Sequence, residues 1–542
     1  MTTSQTLVVS LAVLLGGYNF TFGQASPGTD LEQEEITVVG TYKPHLADAV
    51  KVNPSPSLPE TENKSLEVQN YQVPLYLRPI PWQAPVVKPV ALGKPTLQPL
   101  PNLFAKLGFG TQFSPLVEAA YSSGRSEKFN YGFRGGYTSS NGARENQRYT
   151  QAGGALFGKY FLGPVVLGFD GEVQSESVFF YGYNEEDTSF QREDVRQRFL
   201  RTGAVLEVAN SQTNDLGLEF GLKGGIQTQA DVFDGRETRP FVETVFRYPL
   251  ASKDEIRLFT GFEGLVYRGP LERNRGMFRF RPGYAFNRDD FFILAGLEVA
   301  TDTGRFLLFP DLEFNAKLLD KELVFFAGWN MRLQTNSWRT LTDANPFLAD
   351  SIGFRNSRVE DRYAGVRGEY EGRIGYEVKL SQKPINDFAL FVNDTADTRR
   401  FQVLYEDVTL WVAHAEVSYQ GGERYRAFAS LDLRNFSETG DQARAWHEPG
   451  LLWNLGGRYK ATEKLHLKAD ILGMGPTWAK MPDGSETKLK GTADINLGAT
   501  YAVNKYFTAW ADVNNLASFK HQRYYLYPSY GFRFMAGLQF SF

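Results

Sequence analysis

The chain has 542 residues, a net charge of −4, no cysteine and a mean hydropathy of −0.34. The lack of cysteine excludes disulfides, thiolate metal sites and a lipid-modified N-terminal cysteine, and the acidic balance gives nucleic acid no basic surface to bind. No internal run reaches the roughly 18 apolar residues that a membrane-spanning helix needs. Aromatic residues make up 14% of the chain, which is typical of the apolar band and aromatic girdles of a membrane β-barrel.

The first 25 residues have the pattern of a secretory signal peptide. Leu7 to Gly16 form an apolar stretch, and small or polar residues from Gly23 to Ala25 offer a cleavage site. The residues before this stretch include no Lys or Arg, which is atypical. An uncleaved membrane anchor is the alternative, although the apolar stretch is short for a spanning helix. We therefore predict a signal peptide over residues 1–25.

Residues 26–102 form a proline-rich segment that holds half of the chain's 26 prolines. Proline at this density prevents both helix and central strand, so we expect an extended segment and not a folded domain. One stretch combines β-branched residues with freedom from proline, and such a stretch can add a strand to a periplasmic partner. A disordered linker is the alternative. The candidate partner-binding residues are Glu34, Glu35, Ile36, Thr37, Val38 and Val39.

From Leu103 onward, apolar and polar residues alternate with the two-residue period of a β-strand. Phe278 and Phe280, for example, alternate with Arg279 and Arg281. Lipid contacts one face of a membrane barrel strand and the polar lumen contacts the other. A soluble sandwich would not need so many strands with one charged face. Comparable stretches are residues 277–287, 311–318 and 489–501.

Turn-forming clusters divide residues 103–542 into about 22 strands, in which tight turns alternate with longer polar loops. We expect the tight turns to face the periplasm and the longer loops to face outward. The predicted tight turns are Gly124 to Glu127, Leu162 to Pro164, Gln212 to Asp215, Ser252 to Glu255, Arg288 to Asp290, Leu319 to Glu322, Gly372 to Arg373, Gly421 to Glu423, Thr462 to Lys464 and Asn504 to Lys505. The predicted loops are Tyr183 to Glu193, Ser337 to Arg358, Lys383 to Arg399, Thr439 to Pro449, Pro476 to Glu486 and Ala517 to Pro528.

The last thirteen residues, Tyr530 to Phe542, read as a strand with one apolar and one polar face. This pattern predicts the strand that closes an outer-membrane barrel by pairing with the first strand, near Phe104 to Gly110. A terminal aromatic residue is also what the outer-membrane assembly machinery recognises. The predicted assembly signal consists of Phe534, Leu538, Phe540 and Phe542.

Residues with catalytic or metal-binding chemistry form no motif. The five histidines lie at no metal-ligand spacing, and His414 fits a lumen-facing strand position better than a catalytic base. Asp170, Glu172 and Glu176 share one strand face, which favours a solvated lumen wall over a cation site. Asn184 to Asp187 lack the fixed spacing of a calcium loop. We therefore predict that the chain is not an enzyme and binds no cofactor or metal.

Both ends of the chain resemble a known family. The sequence D-V-N-N-L at Asp512 to Leu516, a loop with Tyr524, Tyr525 and Tyr527, and G-F-R-F-M-A-G-L-Q-F-S-F at residues 531–542 resemble the C-terminal end of TonB-dependent outer-membrane receptors. Near the N-terminus, E-E-I-T-V-V-G at Glu34 to Gly40 is similar to the TonB-box region of that family. The longer stretch Glu34 to Pro54 resembles the opening of TonB-receptor-like barrels of Bacteroidota.

The resemblance implies an all-β fold, an antiparallel transmembrane barrel of about 22 strands in the outer membrane of a Gram-negative bacterium. We expect the family's globular plug to be missing, because only residues 26–102 lie between the predicted signal peptide and the predicted barrel. The proline-rich segment, infolded loops or a separate protein are the candidates for filling the lumen. One expected function is uptake or passage of an unidentified solute, with outer-membrane lipid, the assembly machinery and TonB or another periplasmic protein as partners. The alternative is a non-transporting scaffold barrel of an envelope complex.

Overall fold

A computed structural model of the chain describes residues 102–124, 126–183, 190–210, 214, 217–250, 253–422 and 424–542. The predicted signal peptide, the segment with Glu34 to Val39 and the cluster Asn184 to Asp187 lie outside the described residues. In the described part, 22 strands form one antiparallel sheet. None of the described helices is long and apolar enough to cross a membrane.

The strands of the barrel alternate in direction along the chain. They are β1 (Leu103–Gly110), β2 (Ser114–Ser122), β3 (Phe129–Ser140), β4 (Tyr149–Leu162), β5 (Val165–Phe179), β6 (Arg196–Asn210), β7 (Glu219–Ala230), β8 (Arg236–Pro249), β9 (Glu255–Arg268), β10 (Arg273–Asn287), β11 (Phe291–Asp302), β12 (Arg305–Leu319), β13 (Leu323–Gln334), β14 (Ser357–Tyr370), β15 (Ile374–Asn393), β16 (Phe401–Gly421), β17 (Tyr425–Thr439), β18 (Leu451–Lys460), β19 (Leu465–Met474), β22 (Thr492–Ala502), β23 (Phe507–Asn514) and β26 (Arg533–Ser541).

The loops contain a few short elements of their own. These are the 3-10 helix Arg192–Val195, the helix α1 (Trp338–Ala344), the hairpin of β20 (Thr477–Lys480) and β21 (Glu486–Leu489), and the pair β24 (Gln522–Tyr524) and β25 (Tyr527–Pro528).

The sheet closes on itself because the first strand pairs with both the second and the last. In β1, Leu107 lies opposite Val117 of β2 and opposite Leu538 of β26. The pairing of β1 with β26 extends from Phe104 to Gly110. The predicted strand number and the predicted pairing of the last strand with the first are both confirmed. We call the end of the barrel with Leu103 and Phe542 the terminus end, and the opposite end the loop end.

The two faces of the wall follow the alternation in the sequence. Phe278 points outward with 42% of its surface exposed, whereas its neighbour Arg279 faces the lumen with 3% exposed. The lumen face carries ion pairs between neighbouring strands, such as Arg239 Nη2 to Glu263 Oε1 at 2.6 Å. Apolar side chains therefore form the outer surface, as lipid contact requires, and charged side chains neutralise one another inside.

One predicted loop is mostly strand. Lys383 to Arg399 was expected to be an outer loop because Lys383, Asn386 and Asp387 are polar. In the structure β15 continues to Asn393 and pairs with β16 as far as Phe401. The apolar residues Phe388 to Val392 supply the strand propensity, and a bulge after Ile385 takes up the polar residues.

Two strand predictions are wrong at their ends. Leu489 belongs to the hairpin of β20 and β21, and the barrel strand β22 begins only at Thr492. Tyr530 precedes β26 and is buried inside the barrel, where its hydroxyl donates to the Gln147 carbonyl at 2.9 Å. In both places, contacts with other loops decide the conformation over the local alternation.

Candidate functional site

The loop between β13 and β14, residues 335–356, folds into the barrel; we call it the inner loop. Its helix α1 begins with a capping box, in which the Ser337 side chain accepts from the Thr340 amide and the Thr340 hydroxyl accepts from the Ser337 amide. Trp338 is only 1% exposed and Leu341 is also buried. The sequence predicted a loop at Ser337 to Arg358 but carried no signal that it turns inward.

Ion pairs join the inner loop to the lumen wall. Arg339 Nη2 lies 3.4 Å from Glu172 Oε1 on β5. Arg201 on β6 pairs with Asp343 Oδ1 at 2.8 Å. Glu172 belongs to the acidic strand face that was predicted to be a solvated wall. That face contributes to a binding surface for part of the same chain, because an arginine of the inner loop reaches it.

A buried carboxylate holds the start of the helix. Glu237 on β8 accepts from the Ser337 hydroxyl at 2.9 Å and from the Arg339 amide at 3.2 Å. Nearby, Gln229 on β7 donates to the Thr342 hydroxyl at 3.0 Å. Hydrogen bonds to a charged acceptor are stronger than those between neutral groups. The carboxylate of Glu237 therefore anchors the helix start through two hydrogen bonds.

Aromatic residues from several loops pack on the inner loop and form a cluster across the lumen. Phe347 of the inner loop stacks on Tyr527 with ring centroids 3.7 Å apart and planes 20° apart. Phe401 of β16 exchanges backbone hydrogen bonds with residues 347 and 349. The cluster joins opposite parts of the wall. Its buried members are Phe179, Phe180, Tyr181, Val195, Phe199, Tyr267, Trp338, Leu341, Phe347, Leu348, Ala349, Ile352, Phe354, Phe391, Phe401, Tyr524 and Tyr527.

The tyrosines of the last loop, residues 515–532, tie this cluster together. The Tyr524 hydroxyl donates to the Ala344 carbonyl at 2.7 Å, at the end of α1. The Tyr527 hydroxyl donates to the Arg399 carbonyl, and the Tyr181 hydroxyl donates to the Pro528 carbonyl at 3.1 Å. We call the inner loop, the aromatic cluster and the last loop together the cap. The cap occupies the lumen at the loop end.

A buried histidine supports the cap from the loop between β17 and β18. His447 Nδ1 lies 2.9 Å from the Phe391 carbonyl, and its Nε2 lies 3.3 Å from the Tyr525 amide nitrogen. The ring therefore donates at one nitrogen and accepts at the other, which requires the neutral form. Burial lowers the pKa of His447 to about 3, so the imidazole stays neutral at ordinary pH. Sequence reasoning missed this residue, because a lone histidine in a loop carries no pattern.

The predicted candidate residues are distributed over the wall. His414 faces the lumen, and its Nδ1 lies 2.8 Å from Asp432 Oδ1 of the neighbouring strand. Among the described residues, no group of three or more His, Asp or Glu side chains is placed to hold a metal ion. The predicted assembly-signal residues Phe534, Leu538, Phe540 and Phe542 lie on or directly after β26.

Several solved structures share this fold. The ferripyoverdine receptor of the Pseudomonas aeruginosa outer membrane matches with a TM-score of 0.62 and 13% identity, over 83% of this chain and 72% of the receptor. The FrpB iron transporter of Neisseria meningitidis matches with a TM-score of 0.66 and 10% identity, over 82% of each chain. The siderophore receptor PiuA of Acinetobacter baumannii matches with a TM-score of 0.63 and 6% identity, again over 82% of each chain.

The likeness shows a shared architecture, the 22-strand barrel of TonB-dependent outer-membrane receptors. The resemblance noted from the two chain ends is thus supported at the level of the fold. The proteins matched are receptors and a transporter. No family model and no curated protein sequence matches the chain.

Proposed function

We propose that the chain is an outer-membrane barrel of a Gram-negative bacterium that passes a solute, with the cap as its gate. The observation that carries this proposal is the position of the inner loop, which is held in the lumen by Glu237, Glu172 and Arg201. A barrel of 22 strands encloses a lumen wide enough to need filling. The inner loop is docked by these polar contacts and by its packing in the aromatic cluster, and the barrel opens where that docking breaks.

The cap takes the role that a globular plug has in TonB-dependent receptors. Infolded loops were one of three candidates for filling the lumen, and the cap supplies the material for that role. The fold shared with outer-membrane iron and siderophore receptors supports uptake as the direction of passage. The solute is unidentified. The Bacteroidota type is part of the proposal and rests on the sequence of Glu34 to Pro54.

Conductance in a planar lipid bilayer tests the gate. Gln334 and Ser357 are a paired end of two strands, so an Asn-Gly turn can replace residues 335–356 and leave the barrel intact. We expect low conductance for the full chain and a large, stable conductance for this variant. The control replaces residues 481–485, the tip of the hairpin of β20 and β21, by the same Asn-Gly turn between the paired residues Lys480 and Glu486. Equal conductance of the full chain and the variant without the inner loop would refute the gate.

The proline-rich segment is the proposed contact for TonB or another periplasmic protein, through Glu34 to Val39. The double change Ile36→Pro and Val38→Pro removes two backbone donors and should abolish strand addition while barrel assembly continues. Loss of co-purifying periplasmic proteins and of uptake together is the expected result. Full uptake with unchanged partners would show that the segment is only a tether.

A second function is a non-transporting scaffold of an envelope complex. The extent of the aromatic cluster favours it, because buried aromatic packing resists opening. The two functions differ in one measurement. A scaffold loses its partners with the double proline change and shows no openings while its cap is intact, whereas a gated barrel shows intermittent openings in the full chain.

A further inference from the structure

Two arginines face each other on the outside of the barrel at its loop end. Arg236 is the first residue of β8, Arg268 is the last residue of β9, and they lie directly opposite in the antiparallel pair. Both side chains are exposed, and they share the outward face with Val242 and Phe262. Like charges directly opposite on two strands destabilise the pair. An anion between them removes this repulsion.

Within the part of the chain that the structure describes, neither guanidinium has a protein partner. Among the described residues, no side chain or carbonyl forms a hydrogen bond or an ion pair with Arg236 or Arg268. The exposed carboxylates closest in sequence, Asp234 and Glu272, form no ion pair with them either. Two other outward arginines are paired: Arg196 with Glu193 at 3.4 Å, and Arg362 with Glu360 at 2.6 Å.

The depth of this arginine pair matches a membrane interface. At the terminus end of the same two strands, the outward face finishes with Tyr248 and Ile256. These two residues lie opposite each other and are both exposed. Arg236 and Tyr248 are 12 residues apart. At about 3.4 Å per residue and a tilt of about 45°, this separation corresponds to about 29 Å across the membrane. The apolar band of an outer-membrane barrel is about 25 Å tall, so the pair lies just beyond its edge, among the lipid headgroups.

We propose that Arg236 and Arg268 bind a phosphate group of a lipid in the outer leaflet. The planar guanidinium binds phosphate through two parallel hydrogen bonds, and two of them can hold one phosphate from both sides. The exposed apolar residues Val266 and Phe262, which lie on the side of the pair toward the barrel middle, suit the start of the acyl chains. A lipid is favoured over a soluble anion because both side chains point away from the lumen. The inference rests on the membrane position of the barrel and not on the passage of a solute.

Native mass spectrometry of the full-length protein in detergent tests this site. The probes are lipid A with both of its phosphates, the same lipid after phosphatase treatment, and inorganic phosphate. The double change Arg236→Gln and Arg268→Gln should weaken binding of the phosphorylated lipid at least ten-fold. Phosphatase treatment should weaken its binding to the unchanged protein to the same extent. The matched control is the double change Arg196→Gln and Arg362→Gln, which removes the same charge from the outer surface and should bind as the unchanged protein does.

Three results would overturn the assignment. The first is equal binding of phosphorylated lipid A by the protein with and without the two arginines, and the second is an equal loss in the control variant. The third is displacement of the lipid by millimolar inorganic phosphate, which would assign the site to a soluble anion. Slower electrophoretic migration after boiling shows that each variant is folded, and lipid A should raise the melting temperature only where Arg236 and Arg268 are present.

Discussion

The change Glu237→Gln is expected to loosen the inner loop without disturbing the wall. Glu237 is buried and accepts from the Ser337 hydroxyl and the Arg339 amide. A hydrogen bond to a charged group contributes about 1.5–3 kcal/mol, and a neutral one contributes about 0.5–1.5 kcal/mol. Two bonds that each lose their charge assistance thus weaken docking of the inner loop by about 2–3 kcal/mol. At about 1.4 kcal/mol for each factor of ten, the ratio of undocked to docked loop rises roughly 30- to 140-fold.

Single-channel recording measures this ratio as the fraction of time spent in a conducting state. The control is Glu298→Gln, which removes a buried lumen carboxylate that pairs with Arg281 at 3.0 Å and should leave the open fraction unchanged. Cleavage of the inner loop by an added protease gives an independent readout. An open fraction that rises equally in both variants, or in neither, would refute the reasoning that Glu237 anchors the gate.

Phe280→Arg places a charge in lipid, so in urea titration it should destabilise the barrel by about 2–4 kcal/mol if Phe280 lies near the midplane. The control Lys223→Gln on the lumen face should cost under about 1 kcal/mol. Equal effects of the two changes would mean that the two faces are misassigned. Burial lowers the pKa of His447 to about 3 and that of His521 to about 4, both below the unfolded value near 6.5. As the pH falls, the unfolded histidines therefore take up protons before the folded ones do. The cap should keep its full stability above pH 6.5 and become progressively less stable down to pH 3. Protease cleavage of the loops between pH 7.5 and 4 measures this, and His447→Gln should reduce the dependence. Removal of Phe540 to Phe542 deletes the pairs of Phe540 with Ala105 and of Ser541 with Phe104, which close the barrel. The level of folded protein in the outer membrane should therefore fall. The control Phe532→Ala, just before β26, should leave this level normal.

From alternation alone, a lumen-facing arginine would be expected to tolerate neutral replacement, but the structure changes this expectation for Arg279. Arg279 is nearly fully buried, and its Nη2 lies 3.1 Å from Glu243 Oε1. Removing one partner of a buried ion pair leaves the other charge without compensation. Arg279→Gln is therefore expected to cost more than a change at an exposed lumen position. Alternation shows which face a residue lies on, but the partner across the strand determines the cost of replacing it.

The sequence by itself determined the barrel: its strand number, the register of its faces and the pairing of β26 with β1. These properties follow from local rules. In a strand with a two-residue period, the apolar side chains must face lipid, which fixes the orientation of the strand, and each tight turn sets the direction of the next strand. Only the tertiary structure decided the cap. Glu237 meets Ser337 and Tyr524 meets Ala344 across 100 and 180 residues of sequence. Loops of mixed polarity have no period that predicts such contacts, and the contacts exist only after the closed barrel has brought the loops together over its lumen.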